Sequence, residues 1–334
     1  MDDERIEIAL AADGGYFHGL LVTACSIAAY ADKSVTLVFN ILDGGISEVD
    51  WKMLKQEVSE LHPSALFNPI TVDEKLFMNY PTWNGNRMAY ARLLLPDALL
   101  NTDWVLYCDC DFLWLRDVAE LWKERDEKLC LIGTADLTPW AMQLERDWFA
   151  KNGFEFDEKK YFCSGLCLLN LRRFRCEGLI EKCNQIMSIP DINFPDQAAL
   201  NIVTWGRTKL LPKSVWQCFT HEVTQTELDA GTVIHYAGEL PWRFVRKLQV
   251  LSDTMLIWHR FNSMIRGVSL RQSLRSYFSV WQIVWHRALC WIFRLRLLRV
   301  VMQWIFRRAN RLGAYDRFVI RARRLMVCFR GMGA

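Results

Sequence analysis

The sequence predicts an α/β protein, a mainly parallel sheet flanked by helices. Three observations predict it. Short apolar runs alternate with helical stretches from residue 6 onward, two of the early runs end in Asp-Gly-Gly, and the 334 residues are 51% hydrophobic, enough to bury a large core. Ligands in such folds bind at the carboxyl ends of the strands, so the residues at the end of each apolar run carry the functional reading.

Ile6 to Ala12 reads as a strand ending at Asp13-Gly14-Gly15, and Gly19 to Tyr30 as a buried helix of small and apolar residues. Val35 to Leu42 is a second strand, ending in Asp43-Gly44-Gly45. A helix comes next, from Ser47, whose hydroxyl can cap it, to about Leu61. Ala65 to Ile70 is a third strand, Met88 to Leu95 a helix stopped at Pro96, Trp104 to Tyr107 a strand and Val118 to Lys128 a helix. Leu129 to Gly133 and Leu166 to Leu169 are further strands, Ala198 to Trp205 a half-buried helix and Thr232 to His235 the last strand of the body.

Directly after Trp104-Val105-Leu106-Tyr107 come Cys108-Asp109-Cys110-Asp111-Phe112. In extended chain, positions i and i+2 point the same way, so Asp109 and Asp111 can converge on one hard cation able to neutralise a diphosphate. An isolated Asp-x-Asp is also a common solvated turn, and the rest of the chain has to decide between them. The eleven cysteines are odd in number and scattered, which reads as reduced thiols in a cytosolic protein. Cys108/Cys110 and Cys163/Cys167 lack CxxC spacing and an adjacent His, which argues against zinc. The acidic start Met1-Asp2-Asp3-Glu4-Arg5 has no apolar segment after it and does not read as a secretory signal.

Charge divides the chain into a body, 1–264, and a tail, 265–334. The tail holds fifteen Arg, no Lys and one acid, Asp316, a net +14 within a chain of net +3, which leaves about −11 for the body. Leu270 to Arg311 reads as one aromatic, Arg-studded helix. Its longest uncharged stretch, Ser276 to Trp285, falls far short of the roughly eighteen residues a bilayer crossing needs. On a helical wheel Arg287, Arg294, Arg308 and Arg311 share one third of the circumference, while Arg296 and Arg299 break that face. With Trp281, Trp285, Trp291 and Trp304 among these arginines, residues 268–330 fit an interfacial segment on an anionic membrane. A core helix closing the body is the other reading of the same aromatics. No nucleic-acid-binding motif accompanies the charge, so nucleic acid is not the expected partner.

Four segments stand in a telling order: Ala11-Ala12-Asp13 with Tyr16, Tyr90-Ala91-Arg92-Leu93, Asp109-Cys110-Asp111, and His235-Tyr236-Ala237-Gly238 before Pro241-Trp242. Together they resemble glycosyltransferase family 8, over roughly residues 5–245. The resemblance implies the GT-A fold and a retaining, metal-dependent transfer of galactose or glucose from a UDP-hexose to a lipopolysaccharide or related glycan or glycolipid; with the basic tail and the reduced cysteines, the expectation is an enzyme peripheral on the cytoplasmic membrane face. It implies Asp109, Asp111 and His235 as ligands of manganese, with magnesium as the alternative ion; mixed carboxylate and imidazole ligands suit either.

For the nucleotide sugar it implies Ala11, Ala12, Asp13 and Tyr16 at the uracil end, Arg92 on sugar or phosphate, and Asp109, Cys110, Asp136, Cys163 and Gly238 around the donor. Pro195-Asp196-Gln197 with Asn201 resembles the family stretch lining the sugar and acceptor pocket, making Asp196 and Gln197 the candidate catalytic pair. Asp13 also suits a turn before two glycines, His235 a structural imidazole, and Asp196 a helix first turn.

Two departures stand out. Gly238-Glu239-Leu240-Pro241-Trp242 is one residue shorter than the family pattern and lacks its Lys, leaving Arg243 or Lys247 as substitutes, and Tyr161-Phe162-Cys163-Ser164-Gly165 has a thiol where the family has an amide. They leave open a non-catalytic nucleotide-sugar-binding protein docked at the membrane; a self-glucosylating primer of the glycogenin type is the third reading, which the membrane-like tail disfavours.

Overall fold

In a computed structural model of the chain, the structure describes residues 4–80, 87–136, 139–219, 223–238, 240–243 and 251–294. Two compact units divide it, Met1–Gln217 and Cys218–Ala334.

The first unit contains, in chain order, β1 (Arg5–Ala12), α1 (Phe17–Tyr30), β2 (Thr36–Asp43), α2 (Glu48–Leu61), β3 (Leu66–Thr71), α3 (Leu95–Ala98), β4 (Trp104–Cys108), β5 (Phe112–Trp114), α4 (Val118–Trp122), β6 (Leu131–Ala135), α5 (Pro139–Lys151), β7 (Phe162–Asn170), α6 (Leu171–Cys176), α7 (Leu179–Met187), α8 (Pro195–Val203), β8 (Thr208–Leu211) and α9 (Lys213–Trp216). Seven strands form one sheet in the order β3-β2-β1-β4-β7-β6-β8. Every neighbouring pair is parallel except those made by β7, which runs antiparallel to β4 and to β6. The carboxyl ends of β1, β4 and β6 therefore gather with the amino end of β7 at one edge of the sheet. Centrality explains composition: all five residues of β4 and all nine of β7 are buried, so β4 is an unbroken apolar run and β7 is apolar but for Ser164 and Asn170. Pro69 sits instead on the edge strand β3, where a missing N–H costs no ladder bond.

Several boundaries differ from the sequence reading for identifiable reasons. Ser47 does cap α2, accepting from Asp50 N. Met88–Leu94 is a 3₁₀ turn rather than an α-helix, and Pro96 lies in the first turn of α3, where its missing N–H is harmless, instead of stopping a helix. Helix α4 ends at Trp122, not Lys128. The charged run 123–128 offers it no apolar face, and Arg125 Nε donates to Trp122 O at 2.7 Å. Helices α5 and α7 and strand β8 have no counterpart in the sequence reading.

In the second unit β9 (Cys218–Phe219) and β10 (Val233–His235) pair in parallel, with α10 (Gln225–Ala230) between them. Three helices complete it, α11 (Asp253–Ile265), α12 (Leu270–Tyr277) and α13 (Val280–Arg294). The single tail helix expected from Leu270 is thus broken at Phe278-Ser279. The beginning of the tail is also built into this unit: Ser273 and Leu274 of α12 are buried, and His259 of α11 hydrogen-bonds Ser273 Oγ at 3.2 Å and Pro241 O at 2.9 Å. Burial holds the His259 pKa down at about 4, so it is neutral at ordinary pH. Arg287, one of the four arginines that share an arc of the wheel, pairs with Asp253 at 3.1 Å and donates to Leu251 O at 2.9 Å. Residues 295–334, with Trp304 and the arginines at 296, 299, 308 and 311, lie outside the described residues.

Candidate active site

The site in the first unit grows from the end of β4. Register sets it beside β1, with Leu10 opposite Cys108, so the residues beyond the two strands emerge side by side. Cys110, between the two acids, turns its thiol back to Ala11 O at 3.2 Å and ties the motif to β1. The carboxylates of Asp109 and Asp111 are half-buried. Beyond β1, Ala12 O accepts from Gly44 N at 2.9 Å, and Asp13 Oδ1 accepts from Tyr16 N at 3.0 Å, opening the turn into α1. Asp13 therefore does act as a turn residue, whatever else it binds.

Arg92, in the 3₁₀ turn before α3, is 4% exposed and is the electrostatic hub of this edge. Its Nη2 meets Asp109 Oδ1 at 2.9 Å, its Nε meets Asp196 Oδ2 at 3.3 Å and donates to Ala89 O at 2.9 Å, and its Nη1 donates to Ser164 O. The guanidinium lies 4.3 Å from the Tyr107 ring centre, and Tyr107 Oη donates to Asp109 Oδ1 at 2.7 Å. Burial works against the Arg92 charge, but Asp109, Tyr107 and Asp196 outweigh it and hold the group firmly protonated. Asp109 is thus oriented from behind by two donors.

Register breaks between Gly133 and Thr134: Gly133 faces Cys167 while Thr134 faces Cys163, so Ser164-Gly165-Leu166 bulge out of β7. The bulge re-aims backbone into the site. Gly165 O accepts from Asp109 N at 2.8 Å, Ser164 O serves Arg92, and Ser164 N donates to Gln197 Oε1 at 2.9 Å. Cys163, just before the bulge, is buried, and its carbonyl accepts from Cys167 Sγ at 3.7 Å.

Helix α8 delivers Asp196 and Gln197 from its first turn, after Pro195, and both are nearly buried. Asn201, one turn on, locks the helix to β7 by accepting from Phe162 N at 2.9 Å and donating to Phe162 O at 3.0 Å. The Gln197 amide nitrogen donates to Asp136 Oδ2 at 3.2 Å and to Tyr161 Oη at 3.4 Å. The structure accordingly brings Arg92, Asp109, Asp136, Asp196 and Gln197 into one hydrogen-bonded network. It adds Glu145, which no motif marks, and gives a partner to Tyr161, which the sequence places in a family segment without a role; a 2.7 Å hydrogen bond from Tyr161 Oη to Glu145 Oε2 joins them.

In the second unit His235 ends β10, opposite Phe219 of β9, and is 5% exposed. Gly238 takes φ 70°, a left-handed conformation that favours glycine. Trp242 is buried against Trp258 at 5.7 Å, which gives the Pro-Trp dipeptide a packing role. Of the two candidates for the absent Lys, Arg243 is exposed and Lys247 lies outside the described residues.

Comparison with known proteins fits this arrangement. The chain is 24% identical over 267 residues to General stress protein A of Bacillus subtilis, covering 72% of this chain and 88% of the relative. It is 24% identical to the lipopolysaccharide 1,2-glucosyltransferase of Escherichia coli, covering 72% and 73% respectively. The galactosyltransferase LgtC, solved with donor and acceptor sugar analogs, superposes with a TM-score of 0.63 at 23% identity over 80% of this chain and all of that one, which establishes the GT-A fold. Two other matches are longer proteins, of which this chain spans 52% and 62%. The pattern of glycosyl transferase family 8 matches residues 7–245, well over half of the sequence, and the chain belongs to that family.

Proposed function

We propose that this glycosyltransferase moves a hexose, galactose or glucose, from a UDP-sugar to a lipopolysaccharide or related glycan with retention at the anomeric carbon. The observation that carries the reading is the network of Arg92, Asp109, Asp136, Asp196 and Gln197 at the carboxyl edge of the sheet, in a chain of this family. Asp109, Asp111 and His235 would hold a divalent ion, manganese or magnesium. Each offers one oxygen or nitrogen ligand atom, and the hard, mixed donor set fits either ion. Bound there, the ion supplies charge neutralisation for a diphosphate leaving group.

The chain's own residues do the rest. Arg92, charged and immobile, keeps the Asp109 carboxylate in one orientation and adds positive potential beside the phosphates. Asp13 and Tyr16 face the base end of the nucleotide, and Asp136 with Gln197 holds the sugar hydroxyls. Gln197 is uncharged and its oxygen already accepts from Ser164 N, so it is a poor nucleophile. The reading is therefore a front-face displacement: the bond from the acceptor oxygen to the anomeric carbon forms as the bond to the phosphate oxygen breaks, and the acceptor hydroxyl proton passes to that phosphate oxygen.

Incubation of the full chain with a panel of UDP-sugars and manganese, monitoring UDP release and intact protein mass, tests this. UDP release from UDP-galactose or UDP-glucose is the expected result. Binding without release would instead favour a nucleotide-sugar-binding protein, the reading that the absent Lys supports, and a rising protein mass would favour self-glycosylation.

The proposed place of action is the cytoplasmic face of a membrane, reached through the basic tail. Among the described residues no helix is long and apolar enough to cross a bilayer. Helix α13 supports surface binding, since Trp281 is 83% exposed and Val284 and Trp285 are each 54% exposed at i, i+3 and i+4 spacing. Replacing Trp281 and Trp285 by Ala in the full chain should weaken binding to anionic vesicles by about 10- to 100-fold while sparing donor turnover. Undiminished vesicle binding in a sedimentation assay would remove α13 from the proposed contact.

A further inference from the structure

The buried face of α5 holds a carboxyl group that the reaction as described does not use. Ala141, Met142, Glu145, Trp148 and Phe149 face inward at helical spacing, and Glu145, 0% exposed, occupies a position the other four fill with apolar side chains. A carboxyl group there costs desolvation, and its pKa is pushed up by burial to about 7, a shift that Tyr161's hydrogen bond partly opposes. Packing alone would be served better by Leu or Met.

The hydrogen bonds show what Glu145 holds. Tyr161 is fully buried and touches the rings of Phe149 at 5.9 Å and Phe156 at 5.4 Å, so its ring is fixed. Its hydroxyl donates to Glu145 Oε2 at 2.7 Å and accepts from Gln197 Nε2 at 3.4 Å, while its backbone oxygen accepts from Asp136 N at 3.0 Å. Glu145 Oε2, as acceptor, commits the Tyr161 proton and so leaves the phenol oxygen as acceptor toward Gln197. At its other end the Gln197 carboxamide accepts from Ser164 N. A flipped carboxamide would oppose its oxygen to both the Tyr161 oxygen and Asp136, and its nitrogen to the Ser164 N–H.

We propose that Glu145 and Tyr161 are positioning residues for the transfer: through Tyr161, Glu145 fixes the direction in which Gln197 presents its amide, and with Asp136 aligns the donor hexose. The proposal rests on the glycosyl-transfer reading, and it concerns orientation rather than donor affinity.

The test uses full-length Y161F, E145L, E145Q and Q197A proteins. With a UDP-hexose that the native protein turns over, Y161F and E145L should lower kcat by about 10- to 100-fold and change donor KM by no more than about threefold. E145Q, which keeps an acceptor oxygen for Tyr161, should stay close to the native rate. Y161F combined with Q197A should be no slower than Q197A alone, because both changes break one pathway. Independently of turnover, the Gln197 side-chain amide signal, identified by its absence in Q197A, should shift and broaden in Y161F and E145L and be retained in E145Q. An unchanged amide signal in Y161F and E145L, or losses that multiply in the double variant, would overturn the proposal. If the native protein turns over no UDP-sugar, the reading of function fails by that result, and the amide signal alone decides whether the positioning device exists.

Discussion

Replacing Asp111 by Asn is expected to cut metal-dependent donor turnover by about 1000-fold while leaving the fold intact. Removing one carboxylate charge weakens the hold on a divalent ion, and the several kcal/mol such an ion contributes to leaving-group stabilisation convert at about 1.36 kcal/mol per tenfold. Asp109→Asn should lose turnover to a similar degree but should also be less stable, by about 1–3 kcal/mol, because its Oδ1 is a partner of both Arg92 and Tyr107. The pair thus predicts one functional outcome and two different stabilities. UDP release measured across a manganese titration, with urea unfolding of the same samples, checks both. Full activity of the Asp111 variant at low manganese would sink the metal assignment, and equal stability of the two variants would mean the contacts to Asp109 contribute nothing to the fold.

Much of this site is legible in the sequence wherever a residue's role derives from its place on one strand. Asp109 and Asp111 stand two apart after an unbroken apolar run, and the burial of every residue in β4 is the physical reason for that run. Asp13 after β1 is visible on the same ground. The partners of Arg92 are not, because they come from the 3₁₀ turn, β4, the β7 bulge and α8, and no local spacing encodes a meeting of four segments. The bulge itself is hidden, since the sequence reads as a strand only over Leu166 to Leu169, and the register against β6 is what shows Ser164 to Leu166 displaced within a strand that begins at Phe162.

Glu145 belongs to no motif, yet its pattern is within reach of the sequence. The inward face of α5 is marked by Met142, Trp148 and Phe149, and an acid at the 3.6-residue phase of that stripe is a signal in itself. Helix α7 carries the same kind of pattern in Leu179, Cys183, Ile186 and Met187, all buried. The tail reads as a separate segment because its charge changes abruptly at residue 265. Charge, though, reports only what faces outward, and α12 contributes Ser273 and Leu274 to the interior of its unit.

The second large effect is expected at Arg92, where fold and function share one side chain. Removing one member of a buried ion pair typically costs about 3–5 kcal/mol where the carboxylate left behind is desolvated, as that of Asp196 is; the half-buried Asp109 stays partly hydrated and adds less. In Arg92→Met both Asp109 and Asp196 lose their partner, and Ser164 O loses a donor. Arg92→Lys separates charge from geometry. A single ammonium restores a positive centre but cannot reach Ala89 O, Ser164 O, Asp109 and Asp196 together as the planar fork does. The Lys variant should therefore recover part of the stability in a denaturant titration while turnover stays low, since Asp109 and the bulge are no longer held in register with α8. Native turnover in the Lys variant would show that a point charge suffices at this position, and native stability in the Met variant would show that the buried pairs do not hold the edge of the sheet together.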